Sequence, residues 1–263
     1  MMKTGSRART LLLTASFASC LMTAPALALA QDASPVATPA LQPVSEICAG
    51  SGMATTPGAG AVATPEVSEF DLAFIDLMIV HHQGAISMAT IALERAEHQE
   101  IKDLAQQIIS SQSAEIAQMQ AWRDAWYPGA ARLSETQAMA IFDQAAASSP
   151  GMAGVPGSSE MMMGMHDMGA LCNAAPGEFD LAFIDAMIPH HSGAILMAQA
   201  ALQYSTHQDI KDLATQIISA QQAEIDGMTA WRTLWYPGTP VADDHSGMDM
   251  SGMDMDPEGT PSH

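Results

Sequence analysis

Apolar residues recur at helical spacing along two consecutive stretches of the chain. In the first, Phe74, Ile75, Met78, His82, Ala85, Ala89 and Ala92 fall on one face when residues are set about 100° apart. In the second, Ile101, Leu104, Ile108, Glu115, Met119, Trp122 and Trp126 do the same. Ser68 is the candidate N-cap of the first helix, and Asp71 places negative charge at its positive end. The Glu97-His98-Gln99 stretch reads as a turn, and Pro128-Gly129 stops the second helix. Each helix of about 28 residues spans roughly 40 Å at a 1.5 Å rise. The pair is an amphipathic hairpin, and one such hairpin cannot bury its own apolar face.

The hairpin is written twice. Residues 70–129 recur at 179–238 with an offset of 109 and no gap, and 41 of the 60 aligned positions are identical. Two hairpins closing on each other predict an all-α, ferritin-like four-helix bundle over residues 66–238, with pseudo-twofold symmetry. Residues 130–178 form a Met-rich linker between the repeats. Within it, Ser134-Glu135-Thr136-Gln137 has the form of a capping box and predicts a short helix through about Ala147. Pro189 stands where the first copy has Val80, which predicts a kink just before His190. Gly84 and Gly193 fall inside helices at about 1 kcal/mol each relative to Ala, a cost that points to close approach of another segment.

The ends read differently. Residues 1–30 carry Lys3, Arg7 and Arg9, then an apolar stretch and Ala28-Leu29-Ala30, the pattern of a cleaved signal peptide. That implies a periplasmic or secreted protein with no membrane insertion after cleavage. Residues 31–65 are rich in Pro, Ala, Thr and Gly and read as a disordered leader; residues 239–263 read as a flexible polar tail. Cys48 and Cys172 remain after cleavage. An oxidising compartment allows one disulfide between them, with metal ligation as the alternative.

Charge narrows the partners. Cleavage removes three of the nine basic residues and none of the 29 acidic ones, leaving −23 with neutral histidines. Such a surface repels nucleic acid and attracts cations.

The candidate chemistry sits on the repeated faces. His82 and Glu115 lie at the centres of facing stripes, so packing would deliver a histidine and a carboxylate into the interior. A buried carboxylate needs compensation, either from the histidine alone or from a metal. Met78 lies one turn before His82 and Met119 one turn after Glu115; His81 and Met88 occupy an adjacent stripe that could build a second site. Met187, His190, His191, Met197, Glu224 and Met228 are the second copies of these six. Thioethers are soft and neutral, favouring Cu(I) over hard cations, though a methionine can equally be core filler. Filler does not explain Met163, Met165, His166 and Met168 in the linker, or His245, Met248, Met250, Met253 and Met255 in the tail. Trp122, Trp126, Trp231 and Trp235 read as packing anchors, Arg123 and Arg232 as ion-pair formers, and His98 and His207 as surface or capping residues.

The strings FDLAFIDLMIVHHQGAISMA and FDLAFIDAMIPHHSGAILMA, each followed by IIS-x-Q-x-AEI-x-x-M-x-AW, resemble the DUF305 family of CopM-like proteins. The resemblance covers most of residues 66–238. It implies a ferritin-like fold and extracytoplasmic copper binding through His and Met, with His81, His82, Met88, His190, His191 and Met197 matching the motif. Met119 and Met228 match its second-helix methionine. The expectation is therefore a non-enzymatic Cu(I) binder, with Ag(I) as a surrogate ion, acting in sequestration, handover or resistance. Its partners would be metal ions and a copper exporter or other copper-handling protein. Two alternatives differ in class. A di-metal oxidase on the same bundle would need Glu-x-x-His pairs, which the paired histidines lack. A structural module would hold His82–Glu115 as a plain polar pair. The sequence assigns no oligomeric state.

Overall fold

The computed structural model describes residues 41–50, 69–147 and 168–239. Among these are seven helices and no strands: α1 Val44–Cys48, α2 Phe70–Arg95, α3 Gln99–Trp126, α4 Glu135–Ala147, α5 Met168–Asn173, α6 Phe179–Tyr204 and α7 Gln208–Trp235. The fold is a four-helix bundle made of the two repeated hairpins, α2–α3 and α6–α7, with α2 and α6 packed on each other.

The inner and outer helices differ as their compositions require. α2 buries 19 of its 26 residues, so it is apolar nearly all round rather than on the one face read from its periodicity. α3 buries only Ile101, Leu104, Ala105, Ile108, Gln112, Ile116 and Met119, a single stripe, and α7 repeats that stripe. Both inner helices are long and apolar enough to cross a membrane, but their apolar surface is mostly buried in the bundle.

The hairpins lie head to tail, and this produces two apolar clusters. One joins Phe70–Ile79 of α2 and Met119 of α3 to Ala194–Ala201 of α6 and Ile210–Ile217 of α7. The other joins Ala85–Ala92 and Ile101–Ile108 of the first hairpin to Phe179–Met187 and Met228 of the second. The open end of each hairpin thus covers the tip of its twin.

The non-repeated segments close the two clusters in different ways. α4 begins at the capping box, with Ser134 N donating to Gln137 Oε1 at 2.9 Å and Gln137 N to Ser134 Oγ at 3.3 Å. It lays Met139, Ile141 and Phe142 on the first cluster, where Phe142 meets Phe70 at 4.7 Å. The second cluster is covered by α1 and α5, joined by the disulfide Cys48–Cys172. The segment read as a wholly disordered leader therefore contains a short helix docked through Ile47. Position 95 of the first repeat and 204 of the second diverge accordingly. Arg95 donates to the carbonyls of Leu171, Cys172 and Ala174 at the end of α5, whereas Tyr204 packs on Phe70 at 5.5 Å.

Each hairpin turn is held by its twin. Asp180 at the start of α6 accepts Glu97 N, His98 N and His98 Nδ1, the last at 2.6 Å. Asp71 at the start of α2 accepts Thr206 N, Thr206 Oγ1 and His207 Nδ1. These carboxylates thus fix the turn residues that lead into α3 and α7 on the opposite hairpin. The His98 ring also stacks on Trp235 and the His207 ring on Trp126, at 3.8 and 4.1 Å. Asp76–Arg123 and Asp185–Arg232 pair α2 with α3 and α6 with α7. The Tyr-Pro-Gly stops leave Gly129 and Gly238 at φ of 77° and 79°, open to residues without a Cβ.

α6 runs as one helix through Pro189. Ser68 lies outside the described residues, and the N-cap residue Glu69 makes no side-chain hydrogen bond to α2.

Candidate metal centre

Between the two apolar clusters lies a largely buried polar layer. His82 on α2 donates through Nε2 to Glu115 Oε2 on α3 at 2.6 Å, and His191 on α6 donates likewise to Glu224 Oε2 on α7 at 2.7 Å. The helix spacing forces these meetings, since each pair sits level in an antiparallel hairpin. Met78, one turn before His82, is then level with Met119, one turn after Glu115. Both imidazoles are fully buried, while the Glu115 and Glu224 side chains keep 19% and 7% exposure at the edge of the layer. Glu224 also accepts Gln107 Nε2 from the other hairpin at 3.4 Å.

His81 and His190 meet across the α2–α6 contact, their ring centroids 3.8 Å apart. Gly84 makes this possible. A Cβ on residue 84 would stand 3.0 Å from His190 Nε2, so the ring would have to give by a few tenths of an ångström to admit one. The pair takes one histidine from each repeat.

The layer is under-satisfied. Both nitrogens of His81 and of His190, and Nδ1 of His82 and of His191, are buried without a hydrogen-bond partner. Buried polar atoms left unpaired cost about 1–3 kcal/mol each, so six in one layer favour a compensating ligand or ordered water there. Burial drives the His81 pKa well below 6.5, reinforced by His82 and His191 and only partly offset by the backbone of His190. Burial does the same to His190, reinforced by His81, His191 and His82. Both rings are therefore neutral, with lone pairs able to ligate.

Methionines flank the layer on both sides. Met78, Met119 and Met197 belong to the first apolar cluster, and Met88, Met187 and Met228 to the second, all essentially without exposure. Each trio draws two residues from one hairpin and one from the other. Among the described residues no three His, Cys, Asp or Glu side chains converge as a ready chelate.

Two residues missed on the sequence belong to this layer. Gln112 and Gln221 are 3% exposed with Oε1 unpartnered, each one turn before its glutamate. Their identity in both repeats, at i−3 from Glu115 and Glu224, was the available signal. Met168, read as a loop ligand, instead starts α5 and packs against the second cluster. Met163, Met165, His166, His245, Met248, Met250, Met253 and Met255 lie outside the described residues.

Fold and centre together define a duplicated helical bundle with a histidine layer set between methionine-bearing cores. The chain belongs to the DUF305 family, a domain of unknown function whose pattern matches residues 71–232 and 196–259. It is similar to CopM in its Cu(I)-bound form, at 34% identity, covering 63% of this chain and 97% of that one with a TM-score of 0.49. The DUF305 protein from Streptomyces coelicolor is 24% identical, covering 67% of this chain and 97% of that one, with a TM-score of 0.52. Uncharacterized protein L153 of Acanthamoeba polyphaga mimivirus is 43% identical over 51 residues, 19% of this chain and 34% of that protein. The chain thus spans about a third of the length of that curated relative.

Proposed function

We propose that this protein is a non-enzymatic, extracytoplasmic carrier of soft metal ions, with Cu(I) as its cargo and Ag(I) as a surrogate. One observation carries the reading: six buried imidazole nitrogens without partners lie between two methionine trios. Neutral imidazole with thioether is a donor set suited to Cu(I) and poorly suited to hard cations. His81, His82, His190 and His191 would supply nitrogen, and Met78, Met88, Met119, Met187, Met197 and Met228 sulfur. The linker and tail methionines would capture ions for the bundle to hold, and a copper-handling partner would receive them. Cleavage of residues 1–30 would release the carrier outside the cytoplasm.

A di-metal oxidase finds less support, because each repeat contributes only one core glutamate and no Glu-x-x-His at the paired histidines. The test is Cu(I) titration of the purified chain against a competing chelator under anaerobic conditions. Tight binding that is lost in the variant with all four layer histidines changed to Ala is expected. Equal affinity in that variant would exclude the layer as the site.

A further inference from the structure

The bond each glutamate makes to one imidazole nitrogen decides what the other nitrogen can do. An ionised carboxylate only accepts, so Nε2 of His82 and of His191 must carry the proton it shares with Glu115 and Glu224. That contact occupies Nε2, so Nδ1 is the ring nitrogen left for a ligand. Both Nδ1 atoms are buried and unpartnered.

We infer that Glu115 and Glu224 are positioning residues rather than ligands. Each holds its histidine as the Nε2–H tautomer and turns Nδ1 into the donor. This rests on the soft-metal reading of the layer. Partners of this kind orient ligating histidines and raise their basicity.

The test is nitrogen NMR of the full chain with ¹⁵N-labelled histidine, using Ag(I) as a diamagnetic probe. In the metal-free protein His82 and His191 are expected as Nε2–H tautomers. On Ag(I) loading their Nδ1 resonances shift while the Nε2 protons stay in place. Glu115→Gln keeps an acceptor but removes the charge, and Ag(I) affinity should fall about 10- to 100-fold. An Nδ1–H tautomer in the metal-free protein overturns the inference whether or not any variant folds. Loss of the Nε2 protons on loading overturns it while leaving the layer as a metal site. No Ag(I) binding at all removes the soft-metal reading and this inference together.

Discussion

At the scale of single residues, the protein keeps histidines in an environment that opposes their protonation. The unfolded chain binds protons at His81 and His190 near pH 6.5, whereas the folded chain holds their pKa values well below that. Protons therefore favour the unfolded state. Stability is whole above about 6.5 and declines as the pH falls below it. Denaturant unfolding of the metal-free protein between pH 7.5 and 4.5 should show this decline, flattened in His81→Ala/His190→Ala. Gly84 is the other residue whose effect is local. Alanine would gain about 1 kcal/mol of helix propensity. Its Cβ, however, meets a His190 ring that is buried and already stacked on His81. Overpacking of this kind costs about 1–3 kcal/mol. Gly84→Ala should therefore lower the thermal midpoint and weaken Ag(I) binding, whereas an uncrowded helix glycine would gain stability on the same change.

At the scale of elements, the hairpins are joined as much by their ends as by their apolar faces. Burial alone would raise the Asp71 carboxyl, but hydrogen bonds from Ser205, Thr206 and His207 outweigh it and hold the pKa below its ordinary 3.8. The group is charged and bonded in the fold. Its contribution is complete above about pH 3.8 and is lost as the pH falls through the lower folded value. Asp71→Asn should destabilise the bundle at neutral pH by about 1–3 kcal/mol, as expected for a broken charge-assisted network. Urea unfolding should show that deficit shrinking in strong acid, where the wild-type carboxyl is protonated as well. The asymmetric elements follow the divergent positions. Arg95 holds α5 by its carbonyls, while Tyr204 packs near α4, so the repeats differ where they face segments that were not duplicated.

At the scale of the molecule, two features should dominate stability. The disulfide closes a separation of 124 residues and ties α1 to α5 over the second cluster. Reduction, or Cys48→Ser/Cys172→Ser, should cost about 2–4 kcal/mol, read as a lower midpoint in calorimetry. A cargo bound only by the native state must raise that midpoint with concentration. Ag(I) should do so in the wild type and not in the variant lacking the four layer histidines.

The bundle, its two hairpins and the level meeting of His82 with Glu115 were legible in the sequence. Period and offset are local properties that a wheel and an alignment expose. The capping box at Ser134 and the stops at Pro128-Gly129 were legible for the same reason. What folding alone decided is how the hairpins face each other. Head-to-tail packing brings His81 against His190, sends Asp71 and Asp180 to cap the opposite turns, and divides the methionines into trios of mixed origin. None of these has a sequence period, because each depends on the register between two surfaces that are far apart in the chain. The docking of α1 and α5 was hidden likewise, since six residues or fewer carry no periodicity and are held by a disulfide and an arginine. The sequence by itself determined which residues face inward; the tertiary structure decided which of them meet.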